Sequence, residues 1–379
     1  MKLWLLLAPA LALVISGCFD AKSDSPSGAA KTAPLKSTAT QSSPSTATAP
    51  PVATTTPIQT TPDIIIDICD RGAVGSFLST ILKAESCHKV SSNQMANLKT
   101  LDLREMVSWG NVDILPDSFV GLTSLTALDL GYNAHEGGVR NGRVTLHRGT
   151  FHGLVSLQKL SLRATWTTGL PVGVFEGLSS LKELNMWAFD PAAPLVPGVF
   201  QGLDSLETLD LSSYRSHEGY STDGDMKFHT THPDKAALVP NLFTGLRSLK
   251  QFDLSDCNLR SIQPGVFKGL DQLQILDISG NYFESIPAGT FSGLPNLTDL
   301  SLNGDSPAAW LSYDENGILN MQMAVIQPGA FQGLIALKHL DLKLSAFSVF
   351  SKSAAGLRSD VNVECEHGAE WPNGVECVE

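Results

Sequence analysis

The sequence predicts an α/β solenoid, a stack of short coils carrying one parallel sheet, and three recurring features of the chain predict it. The pattern L-x-x-L-x-L begins nine times, at Leu98, Leu125, Leu157, Leu181, Leu206, Leu249, Leu273, Leu297 and Leu337, with Met186, Phe252 and Ile278 each standing for one leucine. Eight copies are followed by F-x-G-L, at Phe119, Phe151, Phe175, Phe200, Phe243, Phe267, Phe291 and Phe331. Four of the eight steps between copies are 24 or 25 residues, and an internal period of that size is the signature of stacked repeats.

The elements are taken from the N-terminus. Lys2 precedes an apolar run from Leu3 to Ile15, then Ser16, Gly17 and Cys18, the layout of a secretory leader with small residues at its cleavage point. Its thirteen apolar residues fall short of the roughly 20 that a spanning helix needs, so residues 1–17 read as a cleaved signal peptide. The tetrapeptide Ile15-Ser16-Gly17-Cys18 resembles the lipobox of bacterial lipoproteins. That resemblance implies that Cys18, whose thiol is the group that can be alkylated, carries a diacylglycerol thioether and becomes an acylated N-terminus. Several acyl chains, each contributing about 0.8 kcal/mol per buried methylene, hold a protein to a membrane more firmly than one. Phe19 stands where an aspartate often marks inner-membrane retention in Gram-negative lipoproteins. The resemblance therefore implies a lipid-anchored protein of the bacterial cell envelope, at the outer membrane, with surface or periplasmic display left open.

Residues 18–62 form the next segment. From Phe19 to Pro62 it is dominated by Ser, Thr, Ala and Pro, a composition that cannot build a core. It reads as a tether, its 44 residues having an end-to-end distance on the order of 35–40 Å. Residues 63–379 hold 22 Lys and Arg against 36 Asp and Glu, a balance of −14. Such a surface repels nucleic acid and anionic headgroups at long range, so a basic or neutral partner is expected and nucleic acid is not.

Residues 63–97 read as an N-terminal cap. Cys69 and Cys87 enclose a segment in which Val74, Phe77, Leu78, Ile81 and Leu82 fall at helical spacing. Residues 358–379 are short and polar and carry Cys365 and Cys377, as a C-terminal cap would, because terminal coils must shield an open core. Cysteine pairs flanking a solenoid in an exported protein predict two disulfides, Cys69 with Cys87 and Cys365 with Cys377.

Between the caps, residues 98–357 are the repeats. Strand side chains alternate, so the leucines of L-x-x-L-x-L point inward while the x residues point outward. The Phe and its following Leu fill the same core from the opposite side, the Gly permits a tight bend, and stacked neighbours bury what a lone coil cannot. Asn133 and Asn281 hold the inward position that closes the strand, where a side-chain amide satisfies backbone groups of the bend. Cys257 occupies the same column, which predicts a structural cysteine.

The segment Leu273 to Leu294, LQILDISGNYFESIPAGTFSGL, resembles a typical-subfamily leucine-rich repeat, the module of Toll-like-receptor and lamprey variable-lymphocyte-receptor ectodomains. The resemblance covers Leu98 to about Leu357 and implies a horseshoe of about nine repeats with a concave parallel sheet; it says nothing about the ligand. The strand-closing column departs from the family pattern at Met106, Thr165, Phe189, Tyr214, Asp305 and Ser345. The column Asp102, Asp129, Asp210, Asp253, Asp277 and Asp341 follows the family's common L-D-L pattern and is not read as a metal ladder.

Three copies are long: the second has 32 residues, the fifth 43 and the eighth 40. Their insertions, His135 to Thr145, Arg215 to Ala237 and Ser306 to Ala324, all follow the strand and precede the Phe turn, so they should emerge along one edge, and per-repeat insertions often mark a binding face. Outward positions of the first four copies carry Arg104, Tyr132, Lys159, Arg163, Lys182 and Trp187. Tyr, Trp and Arg are the residues that most often anchor interfaces. The expected binding surface therefore combines Arg104, Tyr132, Arg163 and Trp187 with His217, Tyr220, Trp310 and Tyr313 of the loops, and its expected ligand is a protein or a glycan.

An enzyme is not expected: G-x-S-x-G, H-E-x-x-H, C-x-x-C and G-x-x-x-x-G-K are all missing. His217, Glu218, His229 and His232 could hold zinc if the fifth-copy loop folded back, but a solvated loop accounts for them, and no metal or cofactor is expected. A structural envelope spacer is the other alternative, disfavoured because a spacer gains nothing from long loops that cost ordering entropy. Phe347, Val349 and Phe350 are expected to pack beneath the C-terminal cap.

Overall fold

Each L-x-x-L-x-L copy places three residues in a strand, and each strand pairs in parallel with that of the next copy. The computed structural model describes residues 62–379 apart from 109, 133–142, 192–194, 213–236, 239, 258, 260, 282, 284, 305–310, 314–318, 322–324, 344–349, 365–376 and 379. The leader, Cys18 and the tether lie outside the described residues. The strands are β1 (Thr100–Asp102), β2 (Ala127–Asp129), β3 (Lys159–Ser161), β4 (Glu183–Asn185), β5 (Thr208–Asp210), β6 (Gln251–Asp253), β7 (Ile275–Asp277), β8 (Asp299–Ser301), β9 (His339–Asp341) and β10 (Asn362–Glu364). They form one ten-stranded sheet in chain order. The central residue of β1 to β9 is buried in the core, from Leu101 through Leu209 and Phe252 to Leu340, and the register is constant, Leu101 opposite Leu128 and Leu209 opposite Phe252.

The tenth strand lies where the sequence suggested only a cap. Val361 is buried and Val363 packs against the core, so an inward alternation continues with valine in place of leucine. Asn362 N donates to Lys338 O (2.8 Å) and Leu342 N to Glu364 O (2.9 Å), the same rungs that join the earlier coils.

Opposite the sheet, short strands resume the coil after each bend. Val112–Ile114, Val144–Leu146, Trp166–Thr167 and Asp190–Pro191 form a four-stranded parallel sheet. Ala237–Leu238 pairs with Ser261–Ile262, and Ser285–Ile286 with Val325–Ile326, also in parallel. The long copies thus rejoin the same track. Within the eighth, Leu311–Tyr313 and Leu319–Met321 make an antiparallel hairpin.

The phenylalanines stack. From Phe119 to Phe331, neighbouring ring centroids lie 6.0, 6.1, 6.2, 6.0, 6.4, 6.0 and 5.5 Å apart, within the range of favourable aromatic pairs. Every step is within 12° of parallel except Phe200–Phe243, tilted by 32°, which spans the longest copy. Phe252 meets Phe243 edge-on at 4.7 Å.

Three described members of the strand-closing column, Thr165, Cys257 and Asn281, bond backbone carbonyls of the bend. Asn281 Nδ2 donates to Leu254 O and Ile278 O (both 2.9 Å), and its Oδ1 accepts Leu259 N (3.0 Å). Cys257 Sγ donates to Leu211 O (3.2 Å) and Thr165 Oγ1 to Leu130 O (3.1 Å), so a hydroxyl or thiol does part of the amide's work one coil at a time. Burial, with the carboxylates of Asp253, Asp256 and Asp210 nearby, pushes the Cys257 thiol well up. The first copy closes differently: helix α3 (Arg104–Ser108), unforeseen from the sequence, buries Met106 and Val107. Phe189 packs against the core, while Asn133, Tyr214, Asp305, Ser345, Phe347 and Val349 lie outside the described residues.

At the N-terminal end, helix α1 (Gly72–Ile81) buries Val74, Gly75 and Leu78. Ile81, expected on the apolar face, is 37% exposed, because the helix ends there and Leu82, just beyond it, takes the buried place. Helix α2 (Ser92–Asn97) is capped by Ser91, whose side chain accepts Gln94 N. Cys69 and Cys87 are joined in a disulfide, with Cα atoms 5.0 Å apart. Cys365 lies outside the described residues, and Cys377 begins the strand Cys377–Val378, parallel to Phe350–Ser351. Among the described residues no helix is long and apolar enough to cross a membrane.

Phe175 sits fully buried inside the stack. Phe175→Ala is expected to cost about 3–5 kcal/mol, measured by urea unfolding of the full chain; a loss near that of an exposed substitution would mean that the stack does not hold the coils together.

Candidate functional site

The outward residues of β1 to β5 are exposed or half-buried, in the alternation the strands impose. Alternation runs past the strand ends, so in the third copy Lys159 and Arg163 are exposed while Leu160 and Leu162 are buried. Arg163 and Trp187 therefore occupy equivalent places on neighbouring coils, at the rim just beyond β3 and β4. They touch: Arg163 Cζ lies 4.8 Å from the centroid of the Trp187 ring, a cation–π pair of the kind worth about 0.5–1 kcal/mol at exposed sites.

Beside this rim, the outward face of β1 to β4 holds a shallow depression of about 330 Å³. Its lining combines the small side chains of Thr100, Ala127 and Ser161 with the polar ones of Lys159, Glu183, Asp102, Asp129 and Asn185. Lys159 Nζ is 2.8 Å from Glu183 Oε2, a neutralised pair crossing adjacent strands.

The aspartate column has a local job. Asp129 Oδ1 accepts Gly131 N (2.8 Å), Asp210 Oδ1 accepts Ser212 N (2.9 Å), Asp253 and Asp277 accept Ser255 N and Ser279 N (both 2.9 Å), and Asp341 accepts Lys343 N (3.0 Å). Asn185 does the same for Trp187 N (3.0 Å). A side-chain oxygen bonding the amide two residues on is the Asx turn, which bends the chain out of the strand. The column therefore shapes each coil, and in the fourth copy it also fixes the backbone that presents Trp187.

Of the residues singled out from the sequence, Arg163 and Trp187 are brought together. Arg104 begins α3 instead of extending β1, and its guanidinium forks onto its own neighbour: Nε lies 3.0 Å from Asp102 Oδ1, Nη2 2.6 Å from Asp102 Oδ2, and Asp129 follows at 3.6 Å. This hydrogen bond holds the Asp102 carboxyl below its ordinary range. Tyr132 is half-buried beyond β2, and its N donates to Arg163 O (2.8 Å), which ties its backbone to that of the rim. Tyr313 lies in the Leu311–Tyr313 hairpin strand. His217, Glu218, Tyr220, His229, His232 and Trp310 lie outside the described residues.

Sequence reading missed a charged ladder along the residue that follows the first leucine of each copy. Glu207 lies between Lys182 (2.9 Å) and Lys250 (2.6 Å), bridging three coils across the longest one. Aligning the copies at Leu181, Leu206 and Leu249 would have exposed the alternating signs. On the opposite side His147 Nε2 and Asp113 Oδ1 lie 2.6 Å apart, His152 Nδ1 and Asp117 Oδ1 2.7 Å, and Arg148 Nη2 and Glu176 Oε1 2.8 Å, again coil to coil.

Residues 247–306 match the leucine-rich-repeat family model, so the coils within that span are leucine-rich repeats. No curated protein matches the chain. Among solved structures it is similar to the TLR13–ssRNA13 complex (20% identity over 73% of this chain and 37% of that one, TM-score 0.47). It is also similar to the mouse RP105/MD-1 complex (20%, 70% and 40%, TM-score 0.44). Internalin C2 from Listeria monocytogenes matches over 80% of this chain and 97% of its own, at 16% identity and TM-score 0.42. The chain spans two fifths or less of the TLR13 and RP105 chains.

The two hydrogen-bonded lysines pull the Glu207 carboxyl down from 4.5 to about 2. A carboxyl depressed on folding stabilises fully above its unfolded value, and the contribution fades as pH falls through the window between 4.5 and about 2. Glu207→Gln should therefore lower stability at pH 6 and do so less at pH 3, with added salt shrinking the gap; equal effects at both pH values in urea unfolding would contradict the ladder.

Proposed function

We propose that this chain is a non-enzymatic recognition or adhesion module, tethered to a membrane of the bacterial envelope through Cys18, that binds a protein ligand on the outward face of β1 to β4 and its rim. The observation that carries this reading is the depression in that face, together with the Arg163–Trp187 pair just past the ends of two of its strands. An aromatic plane locked by a cation and backed by a fixed turn offers a large contact area at small ordering cost, which is the make-up of an interface anchor.

The geometry of the coil supports a concave face. Neighbouring rings of the phenylalanine stack lie 5.5–6.4 Å apart, whereas strands in a sheet lie about 4.8 Å apart. Each coil is then narrower on its sheet side, and stacking wedges bends the row toward the sheet. A partner seated there meets several coils at once. In the sequence the insertions of the three long copies all fall between strand and Phe turn, at one phase of the repeat, which supports a binding role for that edge.

Two experiments test this. With a photocrosslinking amino acid replacing Lys159 in intact cells, a discrete partner adduct is expected; the same group replacing Val155, which is 54% exposed beside the Phe turn, should give none. Once the partner is identified, Arg163→Ala with Trp187→Ala should weaken it by about 2 kcal/mol or more, and unchanged affinity would remove the rim from the interface. For the tether, Cys18→Ser should release the chain from the membrane fraction, with acyl groups on the N-terminal peptide of the unaltered chain seen by mass spectrometry. A Cys18→Ser chain that stays in the membrane fraction would exclude this anchor.

A further inference from the structure

The cap disulfide has an uncommon neighbour. Both sulfur atoms of Cys69 and Cys87 and a ring nitrogen of His88 lie within 4.8 Å of one another. Asp67 ties this corner together: its Oδ1 accepts Cys69 N at 2.9 Å and its Oδ2 lies 2.8 Å from His88 Nδ1. We infer that reduction of the Cys69–Cys87 bond turns this corner of the N-terminal cap into a zinc site, held by the two thiolates and the His88 imidazole, with Asp67 orienting the ring.

Three observations carry the inference. The donor set is chemically right: zinc takes thiolate sulfur at about 2.3 Å and imidazole nitrogen at about 2.0–2.1 Å, with water as the fourth ligand of a tetrahedral site that has three protein donors. The second is that the cysteines are held as neighbours by more than their own bond. Ile68 N donates to Cys87 O (2.8 Å), the strand Ile65–Ile66 before Cys69 pairs with Val90–Ser91 after Cys87, and Cys87 packs against the core that holds Val74 and Leu78 of α1. Breaking the S–S bond therefore leaves two thiols side by side instead of two loose ends. Third, the corner faces solvent: the His88 and Asp67 side chains are 68% and 60% exposed, so a reductant and an ion both have access, and a carboxylate on a ligating histidine is the usual outer support of a metal site.

The exchange balances. A dithiol reductant supplies two electrons and two protons, the S–S bond breaks to two thiols, and the reductant leaves as its own disulfide; zinc then displaces the two thiol protons as two Zn–S bonds form. The cap is in this way closed by either a covalent bond or a metal, and its redox state selects which. This stands independently of the ligand reading above.

The test uses the full chain carrying Cys365→Ser and Cys377→Ser, reduced with dithiothreitol, freed of reductant without air, and titrated with zinc against a chromogenic chelator. Reduced protein is expected to take up a single zinc and the oxidised protein none, and cobalt in place of zinc should give a thiolate-to-metal charge-transfer band. Asp67→Asn should weaken zinc by about 10–100-fold. His88→Ala, which keeps the disulfide and so the fold before reduction, should abolish uptake at the same zinc concentration. No zinc on the reduced protein, or uptake that survives either His88→Ala or Cys69→Ser with Cys87→Ser, overturns the inference.

Discussion

The stacking of one buried phenylalanine per coil is the constraint on which the rest of the structure depends. A three-residue strand has too little apolar surface to hold a coil in place, and the sheet alone would leave each coil free to shear against the next. The ring on the opposite side of the core supplies a second line of contact, with neighbours 5.5–6.4 Å apart. Two parallel lines of attachment fix the phase of a coil where one would not. That shared phase lets outward residues of neighbouring copies fall into columns, so the Arg163–Trp187 contact, the Lys182–Glu207–Lys250 ladder and the aspartate turns are all consequences of it.

The same constraint explains how the chain accommodates its insertions. Closing a longer loop costs only logarithmically more entropy, provided that the chain re-enters the stack in phase. It does so after the longest copy: Asp210 pairs with Asp253 in the constant register, and Phe243 lies 6.0 Å from Phe200. What the insertion leaves behind is local. The ring pair on either side of it is tilted by 32°, while Phe252, in place of the usual aliphatic residue, packs edge-on against Phe243.

How much could be read beforehand follows from what each feature requires. Strands and the stack were legible because burial demands large apolar residues at a fixed spacing, and spacing is written directly in the sequence. The tenth strand was not, because its inward residues are Val361 and Val363 and a pattern keyed to leucine passes over them. Helix α3 and the exposed Ile81 were missed for a related reason, since both are decided by where a helical turn stops in the fold. At the candidate site, the adjacency of Arg163 and Trp187 was implicit in their shared column. The capture of Arg104 by Asp102 was not, as it depends on the rotamer of a flexible side chain beside a helix start. The aspartate column was credited to a family habit; its physical cause, one amide bonded two residues on in copy after copy, appears only with the backbone in view.

That cause bears on where recognition can evolve in such a sheet. Among the described residues, one of the outward columns closes turns through Asp129, Asn185, Asp210, Asp253, Asp277 and Asp341, with Ser161 and Ser301 standing in the same column of β3 and β8. The flanking positions carry no such duty: the same place that holds Lys159 in one strand holds Ala127, Glu183, Gln251 and Ile275 in others. Variation in charge and size at constant backbone is what a binding surface needs, and it is widest in the column that leaves the turn alone, whereas the turn column holds only Asp, Asn and Ser. A solenoid of this kind thus separates the residues that keep its shape from those free to meet a partner, strand by strand, within a distance of one side chain.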